Sequence, residues 1–99
     1  MITIYVTYSG DAHTRFDREY YVNEHLPLVL KSWGPYGLAS VAAFFPAEDG
    51  AGTIAVCECK FRDEAALEVA FRSPHTPAVM ADVANFTDVQ PSRSRAVPL

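Results

Sequence analysis

The strongest candidate for chemistry is a histidine in a helical stretch that also carries two adjacent tyrosines and an internal proline. His25 follows Tyr21 by four residues, so the spacing predicts that an imidazole and a phenol share one helix face. An imidazole beside a phenol can act as a general acid or base near neutral pH. The alternative is a structural histidine that bonds a backbone carbonyl and packs on a sheet.

Five more side chains could complete such a site, and four of them have a structural alternative. His75 lies in a break between two helical stretches, where it could reach the same cleft or cap the following turn. Asp82 could orient a histidine or a substrate hydroxyl, or stay a surface carboxylate. Tyr20, Tyr5 and Asn85 are candidates for ligand binding. Tyr5 could instead pack against a partner sheet, and Asn85 could end a short helix.

A long predicted helix carries Tyr20, Tyr21 and His25. The three-and-four spacing of apolar residues predicts a helix that begins with Thr14 as its N-cap and ends at Trp33. Pro27 offers no N–H to the carbonyl of Asn23, and its ring crowds that carbonyl. Because a residue before proline avoids helical angles, Leu26 is expected to leave them. The helix is therefore expected to kink or break immediately after His25.

The remaining pattern predicts a single α+β domain over residues 1–99. Alternation predicts strands over 2–8, 37–45, 53–61 and 86–90, helices over 64–72 and 76–84, and a further extended piece over 92–97. The order β-α-β-β-α-β is that of the ferredoxin-like fold, in which both helices cover one face of an antiparallel sheet.

The second predicted strand is apolar on both faces. Simple alternation places Leu38, Ala42 and Phe44 on one face and Ala39, Val41, Ala43 and Phe45 on the other. Two helices can cover only one face, and an uncovered apolar face of this size marks an interaction site. A second copy of the sheet packed face to face is the economical solution, so we expect a homodimer.

Composition and sequence pattern argue against nucleic-acid binding, a membrane span and a signal peptide. The chain has 99 residues, a formal net charge of −4 and a pI near 5.2, which argues against nucleic acid. No apolar run approaches the roughly 18 residues that predict a membrane span. The N-terminal residues start a strand pattern without the charged region of a signal peptide, so we expect a cytoplasmic protein with no membrane partner.

The cysteine pattern and the missing motifs predict a protein without cofactor or metal. Cys57 and Cys59 lie two apart on one strand face, roughly 6.5–7 Å from each other by the strand rise, which is poor disulfide geometry. We expect reduced thiols. The sequence has no glycine-rich dinucleotide loop, P-loop, nucleophile elbow or zinc-protease motif.

Two groups of residues together resemble the EthD family, named for ethyl tert-butyl ether degradation. The first group is Phe16-Asp17, Tyr20-Tyr21, His25 and Pro27-Leu28-Val29. The second group runs from Pro74-His75 through Met80-Ala81-Asp82-Val83 to Asn85-Phe86-Thr87-Asp88-Val89-Gln90-Pro91. With Gly34 and Phe71 between them, the two groups cover nearly the whole domain.

The resemblance implies a dimeric α+β barrel, in which two ferredoxin-like sheets pack across a twofold axis. It also implies kinship with small cofactor-free monooxygenases, lactone isomerases, polyketide cyclases and dehydratases that act on small hydrophobic or aromatic molecules. The matched histidines and acid of the family carry over to His25, His75 and Asp82. Two functions follow: a cofactor-independent acid/base enzyme of a catabolic pathway, or a non-catalytic small-molecule binder of a degradation operon. A purely structural dimer is the third alternative.

Overall fold

A computed structural model describes residues 1–98 as a four-stranded antiparallel sheet with its helices on one face. The strands are β1 (Ile2–Gly10), β2 (Leu38–Phe44), β3 (Gly52–Phe61) and β4 (Ser92–Ala96), and their order across the sheet is β2-β3-β1-β4. Each neighbouring pair is antiparallel. This is the ferredoxin-like α+β fold predicted from the sequence.

The helices are α1 (Arg18–Tyr20), α2 (Leu26–Trp33), α3 (Glu64–Arg72) and α4 (Thr76–Ala81). A 3-10 turn over Asp82–Asn85 continues α4, so the second helical region ends at the predicted asparagine. Asp63 caps α3 by accepting a hydrogen bond from the Ala66 amide at 2.8 Å. No helix in the described part of the chain is both long and apolar enough to cross a membrane.

The first helical segment begins later than predicted. Thr14 lies in a turn, where its amide donates to the Asp11 carbonyl, and the N-cap is instead Asp17. The Asp17 carboxylate accepts from the Tyr20 amide at 3.0 Å. The prediction of Thr14 was wrong because its hydroxyl is engaged by the Asp11 amide in the loop after β1.

The distortion expected at the proline takes the form of a π-helical turn over Tyr21–His25, between α1 and α2. The Leu26 amide donates to the Tyr21 carbonyl five residues back. Leu26 itself keeps helical angles (φ −62°, ψ −41°), so the expectation that it would leave them was wrong. The wider turn places Pro27 in the first turn of α2, where a missing N–H is tolerated.

The last strand is displaced from the predicted position. Residues 86–90 form turns and one isolated bridge between Phe16 and Thr87, whereas the extended tail forms β4 and pairs with β1. Thr87 explains the difference, because its side chain is buried and its hydroxyl donates to the Arg15 carbonyl at 2.7 Å. The segment is therefore tied to the loop before α1 and cannot join the sheet.

The faces of β2 also differ from simple alternation. The register shifts between Leu38 and Ser40, so Leu38 lies opposite Phe61 and shares the helix-covered face with Val41. On the other side, which we call the outer face, Phe44 is 54% exposed. The outer face is more mixed than predicted, since Tyr5 donates there to the Glu58 carboxylate at 2.8 Å.

Candidate functional site

Three side chains from two distant segments bond the carboxylate of a fourth, Asp82. The Asp82 carboxylate accepts from the Tyr20 hydroxyl at 2.6 Å and from the Asn85 amide at 2.9 Å, both on Oδ1. Its Oδ2 lies 2.8 Å from Nδ1 of His25. The π-turn supplies the histidine, α1 supplies the tyrosine, and the 3-10 turn after α4 supplies the acid and the amide.

The charges at this carboxylate follow from burial and hydrogen bonding. Burial lowers the pKa of His25 more than the hydrogen bond and the charge of Asp82 raise it. Burial raises the pKa of Asp82, but hydrogen bonds from Tyr20, Asn85 and His25 outweigh it and hold that pKa below its usual range. The pair at neutral pH is therefore a neutral imidazole and an ionised carboxylate.

This pairing also determines which ring nitrogen of His25 carries the proton. An ionised carboxylate can only accept, so Nδ1 of the neutral ring carries the proton and donates to Asp82. Nε2 is then a bare lone pair. Within residues 1–98 it has no hydrogen-bond partner.

Two aromatic rings contact the imidazole. The ring of Tyr21 stacks on His25 with a centroid distance of 5.4 Å, and Phe86 contacts it at 4.7 Å. Phe86 also lies 4.9 Å from Tyr21, and both are almost fully buried. These contacts explain why a residue of the segment after the 3-10 turn is buried without belonging to a strand.

The loop that follows Asn85 is fixed by a separate set of polar contacts. Arg15 bonds both oxygens of the Asp88 carboxylate, at 3.2 and 2.9 Å, and the Ala84 carbonyl at 2.8 Å. The Thr87 hydroxyl bonds the Arg15 carbonyl. Because this loop directly follows the 3-10 turn, its attachment to the chain before α1 positions Asp82 opposite His25.

His25 lines a cavity between the helices and the sheet. The empty space measures about 540 Å³ including an open mouth. The walls are largely apolar and come from β1, β3, α2, α4 and the 3-10 turn after it. They include Val6, Leu26, Val29, Trp33, Cys57, Cys59, Val79, Met80 and Val83. Pro91 and Arg93 lie on the wall near the edge strand β4. A mostly apolar space with a few polar groups is typical of a small-molecule site.

Two predicted site residues lie elsewhere. His75 is exposed at the start of α4, 6.0 Å from the Tyr36 ring, and does not line the cavity. Tyr5 alternates with the cavity-facing residues of β1, so it lies on the outer face with Glu58. The helical break brings His75 to the solvent side of the helices because Thr76, which follows it, is the residue that turns inward to bond Trp33.

The cavity is also lined by two polar residues, Tyr8 and Arg93, that were not among the predicted site residues. Tyr8 is buried beside Tyr21, and burial raises the pKa of each phenol well above its usual range. Strand parity could have identified Tyr8, since it shares the face of Ile4 and Val6. No local signal would have identified Arg93, because it depended on the displaced last strand.

Cys57 and Cys59 are free thiols on the cavity wall, as predicted. Their sulfurs are 3.6 Å apart, much closer than the backbone spacing suggested, because the side chains lean toward each other. Their mutual hydrogen bond lowers the pKa of Cys57 and raises that of Cys59, whose burial raises it further. Within residues 1–98 no group of three or more His, Cys, Asp and Glu side chains could hold a metal ion.

Known structures share this fold across nearly the whole chain. An EthD-like protein from Ralstonia eutropha superposes with a TM-score of 0.83 at 23% identity, covering 96% of this chain and 88% of that protein. An EthD family protein from Bacillus halodurans gives a TM-score of 0.70 at 20% identity and covers 98% and 100%. SnoaB, a cofactor-independent oxygenase from Streptomyces nogalater, gives 0.65 at 8% identity and covers 98% and 92%.

Sequence comparison identifies the family more directly. A search of curated proteins gives no match. The EthD domain matches residues 11–90, which include the π-turn, the 3-10 turn of Asp82 and the loop that holds them together. Since that match spans well over half of the sequence, this chain belongs to the EthD domain family.

Proposed function

We propose that this chain is a cofactor-independent enzyme that moves a proton on a small hydrophobic or aromatic metabolite, with His25 as the general base. The observation that carries the proposal is the 2.8 Å contact between Nδ1 of His25 and Asp82 in a residue that lines an apolar cavity. It supports a ring whose free nitrogen, Nε2, serves a ligand in that cavity.

The proton has a defined route in this proposal. Nε2 takes a proton from a carbon or hydroxyl acid of the ligand, and the resulting imidazolium is stabilised by the ionised Asp82 on its other nitrogen. The same nitrogen then returns the proton to a second ligand atom. Isomerisation, cyclisation and dehydration balance with this one proton, whereas a monooxygenase reaction would also consume O₂ as a co-substrate.

The phenols supply the complementary function. Burial raises the pKa of Tyr21 and Tyr8, so both hydroxyls keep their protons at neutral pH and can donate to a developing oxyanion. Tyr20 holds the base in place through Asp82, so it is a positioning residue. Asn85 has the same role from the other side of that carboxylate, rather than the ligand contact expected from the sequence.

Hydrogen–deuterium exchange of a carbon acid in D₂O tests the proposal without knowledge of the natural substrate. Phenylacetone is a suitable probe because it has one ring and acidic hydrogens beside its carbonyl. Exchange should be faster with the protein than with buffer, and His25→Asn should abolish the excess while still binding the probe. The control is His75→Asn, which changes the same residue type outside the cavity and should exchange at the wild-type rate.

The competing function is a non-catalytic binder with the same cavity. In that case the wild type and His25→Asn would bind the probe equally, and neither would exceed the exchange rate of buffer. Asparagine can keep one hydrogen bond to Asp82 but cannot carry a proton near pH 7. The variant therefore separates the loss of chemistry from the loss of packing.

A second copy of the chain is part of the proposal. The helices leave the outer face uncovered, and its exposed Phe44 and partly buried Val56 and Ala42 favour a homodimer that packs the two sheets together. The Tyr5–Glu58 pair would lie inside such an interface. Sedimentation at micromolar concentration should give a dimer, and a stable monomer would exclude this arrangement.

A further inference from the structure

One basic residue of the sheet lies at the cavity, on the wall near the edge strand. Arg93 is on β4, paired with Val6 of β1, and its side chain lines the cavity that His25 also lines. Its guanidinium lies 4.6 Å from the centroid of the Phe71 ring. This stacking on an aromatic face orients the guanidinium without using its hydrogen-bond donors.

Arg93 differs from several other basic residues in its partners. Arg15, Arg62, Lys60 and Arg95 each pair with a carboxylate. In the part of the chain that the structure describes, Arg93 has no ion pair and no side-chain hydrogen bond. Its five N–H donors are therefore available to a ligand.

The cavity has a negative charge near His25 and a positive charge at Arg93. At the His25 side, a neutral imidazole is backed by the ionised Asp82, so an anion there would be repelled. The Arg93 side carries a permanent positive charge. A ligand with one acidic group would therefore turn that group toward Arg93 and present its neutral end to His25.

We propose that the cavity takes a small ring compound that bears an acidic group, a carboxylate or a phenolate, and that Arg93 binds this group. The inference rests on the proposed function, because it assigns the substrate class of the same cavity. It adds a specificity residue at the edge strand, remote in sequence from the proposed base.

The size of the cavity agrees with a ligand of about one ring. The cavity volume is about 70 Å³, about half of the roughly 150 Å³ of a cavity that binds benzene, and its open mouth extends the empty space to about 540 Å³. One ring therefore fits when part of the ligand lies in the mouth. The acidic group would lie at the mouth, where Arg93 is exposed to solvent.

Binding of matched acids and amides tests the assignment. Benzoate and phenylacetate should each bind the wild type at pH 8 more tightly than benzamide and phenylacetamide, which have the same shapes without the charge. Arg93→Gln should weaken acid binding about tenfold and leave amide binding unchanged. That size lies between the few-fold effect of an exposed pair and the roughly hundredfold effect of a buried charged hydrogen bond.

The control is Arg95→Gln, which removes the same charge two residues along the same strand. Arg95 is paired with Glu64 and does not line the cavity, so acid binding should keep its wild-type affinity. Arg93→Lys should retain part of the preference for acids, because it keeps the charge but not the fork geometry. Thermal unfolding of each variant identifies any loss of folding.

Three results would overturn the inference: no binding of either acid, equal binding of acids and amides, or an equal loss in Arg93→Gln and Arg95→Gln. These outcomes are independent of the exchange experiment on His25. Amides that bind as well as acids, together with His25-dependent exchange, would reject the role of Arg93 alone. A preference for acids without exchange would reject the enzyme and keep the binding site.

Discussion

Replacing Asp82 with asparagine should move the proton of the His25 ring from Nδ1 to Nε2 while leaving the fold intact. Tyr20 and Asn85 both donate to Oδ1, which the amide of Asp82→Asn retains as its oxygen. The new NH₂ group takes the place of Oδ2, 2.8 Å from Nδ1 of His25. Two donors cannot face each other, so Nδ1 must become the acceptor and the proton must move to Nε2.

The cost to stability can be worked from the same contacts. Hydrogen bonds to a charged group contribute about 1.5–3 kcal/mol, and neutral ones about 0.5–1.5 kcal/mol. Three bonds that change from charged to neutral would lose about 3–4.5 kcal/mol by these figures, and the relief from burying a carboxylate offsets part of that. We expect Asp82→Asn to lower the free energy of unfolding by about 1–2 kcal/mol. Asp82→Ala leaves the buried Nδ1 of His25 unpaired and should cost more.

Nitrogen-15 NMR of the imidazole rings measures the outcome without any substrate. In the wild type, Nε2 of His25 should show the chemical shift of an unprotonated nitrogen and Nδ1 that of a protonated one. Asp82→Asn should exchange the two shifts, lower the pKa of His25 and abolish proton transfer to the probe. A wild-type spectrum in which Nε2 already carries the proton would refute the reasoning, as would an Asp82→Asn spectrum with the wild-type tautomer.

Three further predictions concern stability. Burial lowers the pKa of His25 below 6.5, so the unfolded chain binds a proton at a higher pH than the folded chain does. The free energy of unfolding should therefore fall as the pH drops below 6.5. Denaturant titrations from pH 7 to pH 5 should show this slope in the wild type and a flatter one in His25→Gln. Thr87→Val removes a buried hydroxyl that bonds a carbonyl and an amide, so it should cost about 1–3 kcal/mol, whereas Thr7→Val, whose hydroxyl bond is long and exposed, should cost under about 0.5 kcal/mol. Gly37→Ala should destabilise the protein markedly in thermal melts, because φ is 115° and the added Cβ would lie 2.5 Å from that of Ala66; a melting temperature equal to that of the wild type would contradict the strain argument.

Much of the fold could be predicted because local signals agreed with the tertiary structure. The α3 helix carries its own cap and buried stripe, and its predicted bounds are the observed ones. The last strand could not be placed locally. Residues 86–90 alternate in the manner of a strand, but Phe86 is buried against His25 and Thr87 bonds the loop before α1. Contacts between segments about 60–70 residues apart decide that conformation.

The site could likewise be predicted only in part. The sequence offered Tyr21 and Asp82 as candidates to meet His25 and left a surface position open for Asp82; in the structure both side chains contact His25. It could not distinguish which histidine would reach the cavity, because that depends on the direction in which the helical break turns His75. Arg93 was missed since its position follows only from β4 being the edge strand beside β1.

The π-turn makes the site depend on the number of residues in the helix as well as on their types. Deleting one residue between Tyr21 and His25 would convert the turn to an ordinary α-helix and rotate everything before it by about 100° relative to α2. Tyr20 would then leave Asp82, although every side chain of the site would still be encoded. A one-residue gap in this turn, in any relative that keeps the histidine and the acid, would therefore mark a protein whose cavity is built differently.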